Sequence, residues 1–68
     1  MARYYVNEHA QPTGEHEVHK QGCSYMPGDR NRQYIGDFDT CQAAVTAAGT
    51  HHANVDGCFY CCRDCHTR

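Results

Sequence analysis

Residues 38–49 read FDTCQAAVTAAG, and here the chain changes its period. Cys41, Ala44, Val45 and Ala48 stand at i, i+3, i+4 and i+7, which is one face of a helix. Asp39 or Thr40 can cap its start, with Gln42 three residues after Asp39 as in a capping box. Gly49 can end it, or the helix runs on to His51 or His52, which read as a solvated helix end. On that apolar face Cys41 reads as a free, small hydrophobe of the core.

Upstream the pattern is that of strands. RYYVN (3–7) and EHEVHK (15–20) are short and carry Tyr and Val, and Pro12 and Gly14 lie between them. That pattern predicts an antiparallel hairpin with a longish loop. Pro27-Gly28 marks a further turn, and RQYIGDF (32–38) reads as a third strand. Downstream, NVDG (54–57) reads as a turn into a cysteine-rich end. The expected fold is small α+β, β-β-β-α, as one domain over residues 1–68.

This fold is short of core. The 68 residues contain no Leu and no Trp, and Val, Ile and Phe together number seven. At this length a hydrophobic core is marginal even when well supplied. Tyr4, Tyr5, Tyr34 and Tyr60 are therefore read as strand packing rather than as a base-stacking platform. The six cysteines are the obvious tie.

Residues 56–68 read DGCFYCCRDCHTR. Cys58-x-x-Cys61 is the spacing at which one tight turn aims two thiolates at one metal ion. His19-x-x-x-Cys23, at a strand end running into a Gly-containing loop, offers a second pair. Two such pairs bracketing a β-β-α unit predict a tetrahedral site. Strand alternation puts His19 on the face opposite Val18, so ligation requires the strand to end or twist there. Cys62-x-x-Cys65 repeats the spacing, so Cys62, Cys65 and His66 can substitute in the ligand set. One site with spare thiols is favoured over two, which would need eight ligands.

At this point the chain resembles a family. The run YYVN…EVHKQGC…NRQYIGDFDTCQAAVTAAG…GCFYC is similar to the small metal-binding domain at the N-terminus of the Ada DNA-repair protein. The resemblance spans roughly residues 4 to 61. It implies a single Zn²⁺ held at His19, Cys23, Cys58 and Cys61. Three departures stand out, one being the extra residues THHANVD (50–56) between the helix and the C-x-x-C. His19 occupies the position of the family's first cysteine, the thiolate that accepts a methyl group from DNA. Cys62, Cys65 and His66 extend beyond the family's end.

Charge and composition narrow the function. A net charge of −2 supplies no basic footprint for non-specific nucleic-acid binding. Residues 40–55 are too polar to span a membrane. The start at MARYYVNEH shows no apolar signal region, so a cytoplasmic location is expected, where clustered cysteines bind metal more often than they pair. His9 and His16 carry no signal. No phosphate-binding loop, nucleophile–base pairing or acidic pair points to an enzyme. The expected function is a structural-zinc binding module for a protein or nucleic-acid partner. The alternatives are thiol chemistry, as an alkyl acceptor or a redox protein using Cys61, Cys62 and Cys65, and a disulfide-stapled domain without metal.

Overall fold

The computed structural model describes residues 1–67. Strand β1 (Ala2–Asn7) and strand β2 (His16–Lys20) form the expected antiparallel hairpin, with Tyr5 opposite His19 and Val6 opposite Val18. Strand β3 (Arg32–Phe38) pairs antiparallel with the other edge of β1, with a register shift between Tyr4 and Tyr5. Helix α1 (Cys41–Ala48) follows. Thr40 caps it, its hydroxyl oxygen accepting the Ala43 N–H at 3.2 Å. Of the two candidate caps the β-branched hydroxyl is used, and Gly49 ends the helix.

One element departs from expectation. The stretch read as a turn is a strand, β4 (Val55–Gly57), which pairs parallel with β2 through His16–Val55, Glu17–Asp56 and Val18–Gly57. The four strands thus form one mixed sheet in the order β3-β1-β2-β4. The parallel pair needs a crossover, and β3 with α1 supplies it. A short 3₁₀ turn, Arg63–Cys65, closes the chain's described end.

The core lies between α1 and one face of the sheet. Tyr4, Val6, Val18, Ala44, Ala48 and Cys62 are buried in it, with Ile35, Phe38, Val45 and Val55 packed around them. Small residues on α1 let the helix sit close to the sheet, so the six Val, Ile and Phe side chains of the core go further than their number suggests; the seventh, Phe59, is exposed. Gly57 is part of the same economy. A side chain there would begin 2.7 Å from Cys65 Cβ and 2.8 Å from the Cys62 carbonyl oxygen.

The expected core role of Cys41 needs correction. It packs against the core, but it is bonded to Cys65 across a Cα–Cα distance of 6.3 Å. The bridge ties the first residue of α1 to the 63–65 turn. No helix among the described residues is long and apolar enough to cross a membrane.

Candidate metal centre

The site forms where two loops meet the end of β2. Directly after Lys20 the chain turns back on itself, Cys23 N–H donating to Lys20 O at 3.1 Å. Gly22 makes this possible with a φ of +95°, a left-handed conformation that costs other residues a Cβ clash. From the other side, the Cys58–Cys61 turn continues past β4 alongside β2. Cys58 N–H donates to Val18 O at 2.9 Å, and Lys20 N–H donates to Cys61 Sγ at 3.2 Å.

These turns bring His19, Cys23, Cys58 and Cys61 together, their donor atoms all within 4.8 Å of one another. Such a group could hold a metal ion. Cys23 Sγ and Cys58 Sγ are 3.9 Å apart. Two thiolates on one tetrahedral ion at the usual bond length stand about 3.8 Å apart. Alternation is obeyed: Val18 and His19 lie on opposite faces of β2, and both are buried because both faces are covered there. The strand ends one residue after His19, as ligation requires.

Each sulfur also accepts one backbone N–H. Tyr25 N–H reaches Cys23 Sγ and Tyr60 N–H reaches Cys58 Sγ, each at 3.4 Å, while Lys20 serves Cys61. The two loops thus make the same sulfur contact at the same offset. The tyrosines that supply it stack on each other, ring centroids 4.0 Å apart and 18° from parallel. Backbone dipoles aimed at sulfur favour its anionic form.

His19 is oriented for the same task. It is 1% exposed, and its Nδ1 has no hydrogen-bond partner. A buried nitrogen without a partner is costly. Its other nitrogen, Nε2, faces Glu17 Oε1 at 3.7 Å. A carboxylate on that side of the ring stands where the far nitrogen of a metal-ligating histidine commonly finds its partner, although 3.7 Å is longer than a hydrogen bond. Nδ1, buried and without a partner, is the nitrogen free to bind an ion.

Protonation follows from burial. Burial pushes the Cys23 thiol up and the Cys58 thiol up to about 12. The hydrogen bond with Cys62, together with burial, raises Cys61. Burial holds His19 below its ordinary value. Without a cation the four groups are therefore neutral at pH 7. A cation exchanges the thiol protons for coordinate bonds, and that is the chemistry this donor set fits.

The possible substitutes are disposed differently. Cys65 is committed to the disulfide. His66 Nδ1 donates to Gly57 O at 2.9 Å and faces Asp56 Oδ2 at 3.3 Å. Cys62 alone remains a free thiol beside the group, 3.7 Å from Cys61 Sγ. Tyr60 is not strand packing as expected. It lies in the Cys58–Cys61 turn and is 60% exposed. Tyr25, its stacking partner, carried no sequence signal beyond standing two residues after a candidate ligand. Tyr34 is half exposed, packed on Tyr5 and hydrogen-bonded to Asp37. His51 lies exposed beyond the helix end, and His52 stacks on His16. Comparison with known protein families, characterised proteins and solved structures gave no significant match.

Proposed function

We propose that this protein is a zinc-binding module whose ion is structural, held by His19 Nδ1, Cys23, Cys58 and Cys61. The observation that carries the proposal is a buried His19, its Nδ1 without a hydrogen-bond partner, in a group with three cysteines whose donor atoms lie within 4.8 Å of one another. Zinc fits a mixed S₃N set because it takes thiolate and imidazole alike in tetrahedral sites. When bound, the ion cross-links the end of β2 to the C-terminal turn. The module corresponds to an Ada-like zinc domain with histidine in place of the first cysteine.

Its outward activity is binding of a protein or nucleic-acid partner, not catalysis. The exposed stacked pair Tyr25 and Tyr60, with Phe59 packed edge-on against Tyr60, gives the metal loops an aromatic surface of the kind that partners use. Methyl acceptance is not expected, because a neutral imidazole cannot replace the nucleophilic thiolate at position 19.

Native and denaturing mass spectrometry test both statements. Zinc adds about 63 Da, net of released protons, under native conditions only. After incubation with methylphosphotriester DNA the denatured mass should be unchanged. A native mass without metal would remove the zinc proposal, and a methylated cysteine would remove the non-catalytic one.

A further inference from the structure

Residues 58–65 form a loop that carries two of the four candidate ligands, Cys58 and Cys61. The loop leaves β4 at Cys58, whose N–H donates to Val18 O at 2.9 Å. It returns to β4 where His66 Nδ1 donates to Gly57 O and Thr67 N–H to Asp56 Oδ1, each at 2.9 Å. In between, its backbone–backbone bonds among the described residues are internal. Cys62 N–H donates to Cys58 O and Cys65 N–H to Cys62 O, each at 2.9 Å. The β4 residue closest to Cys62 and Cys65 is Gly57, which has no side chain to grip them.

Cross-ties from the loop to the rest of the fold therefore rest on its sulfurs. Cys61 Sγ accepts the Lys20 N–H at 3.2 Å, Cys62 is buried in the core, and Cys65 is bonded to Cys41. The bond to Cys41 is covalent and reaches the first residue of α1, 24 positions away in sequence. Closing a stretch of that length removes much of its freedom. The bond is also accessible. Cys41 and Cys65 are half-buried, and Cys41 lines an open cleft of about 430 Å³ together with Cys61. One cleft thus gives access to an end of the bridge and to a candidate ligand.

We propose, on the basis of the zinc reading, that the Cys41–Cys65 disulfide is a redox latch on the metal centre. Closed, it holds the loop so that Cys58 and Cys61 face His19 and Cys23. A dithiol reductant opens it from the cleft. One thiolate of the dithiol attacks Cys41 Sγ, the Cys41–Cys65 bond breaks, and the electron pair leaves on Cys65, which takes up a proton. The second thiol of the dithiol then attacks its own mixed-disulfide sulfur. The dithiol closes to a cyclic disulfide, and Cys41 departs and takes up the other proton. Two electrons and two protons pass from the dithiol to the bridge. The loop is then tied to α1 by packing alone, and the ion is held more weakly.

The test compares three forms of the full-length chain in zinc titrations against a chromophoric chelator. They are the protein with its bridge intact, the same protein reduced and freed of reductant under anaerobic conditions, and Cys41→Ala/Cys65→Ala. The intact form should bind zinc about tenfold more tightly than either of the others, within the usual range of coupling between two sites. In the zinc-loaded protein, reduction should speed amide hydrogen exchange by about tenfold across residues 59–65 and leave β1, paired on both sides, unchanged. Equal affinities overturn the latch. So does a reduced form that binds as tightly as the intact one while the double variant binds weakly, because the freed thiols would then be ligands. Exchange that rises equally in β1 would make the bridge a general staple and also overturns the latch. An intact form that binds no zinc removes the zinc reading itself, and the latch with it.

Discussion

At the scale of single residues, His19 carries the most weight. Its imidazole is buried with one nitrogen unpartnered and the other facing Glu17. A carboxylate that takes the far N–H of a metal-bound histidine fixes the tautomer and the ring plane, and losing it typically costs ten- to a hundredfold in metal affinity. Glu17→Ala should therefore weaken zinc about tenfold in a competition titration against a chromophoric chelator, with the fold retained when metal is saturating. Unchanged affinity would mean that Glu17 does not orient His19. That His19, Cys23, Cys58 and Cys61 come together was legible in the sequence because each pair's spacing is local. The Cys41–Cys65 bond was not, since its partners are 24 residues apart and Cys41 lies on a helical face that reads as core. Thr40 was legible as a cap because an N-cap needs only its own hydroxyl and the next turn.

At the scale of elements, the close approach of β4 to the 63–65 turn decides whether the C-terminal cysteines can gather. Gly57 sits at that contact with two Cβ atoms and a carbonyl at its Cα. Gly57→Ala inserts a methyl group into this space, against backbone as well as side chains, and overpacking of this sort costs about 1–3 kcal/mol. Urea unfolding of the metal-loaded protein should show that loss, and zinc affinity should fall with it. A variant as stable as the wild type would show that the contact is loose. The hairpin, β3 and α1 were legible in the sequence because each carries its own period or turn signal. Strand β4 was not: VDG after Asn is turn-like composition, and only pairing with the already buried β2 makes it a strand. Local propensity yields there to tertiary context.

For the whole molecule, the candidate metal group brings residues 19 and 23 to residues 58 and 61, so an ion held there would tie the end of β2 to the C-terminal turn across β3 and α1. A structural zinc site contributes on the order of 10 kcal/mol, comparable to the whole net stability of an ordinary domain. With so few large apolar residues, the chain should lose its dispersed amide NMR spectrum in excess chelator and regain it with zinc. Retained dispersion in metal-free protein would show that the core folds alone. The pH dependence follows from protonation. Metal-free Cys23, Cys58 and Cys61 are raised and His19 is lowered, so binding at pH 7 should release about three protons, read from the buffer dependence of the binding enthalpy. Affinity then rises with pH, and acid expels the ion. For His19 the sign is the same. Its folded-state value lies below the ordinary 6.5, so the unfolded chain takes up the proton first as pH falls, and stability is lost on the acid side.

The most direct measurement is X-ray absorption at the zinc edge of the purified, metal-loaded protein. An S₃N shell is expected, with sulfur at about 2.3 Å and imidazole nitrogen at about 2.0–2.1 Å. An S₄ shell would mean that Cys62 replaces His19 as the fourth ligand, and a shell dominated by oxygen and nitrogen would contradict the site altogether.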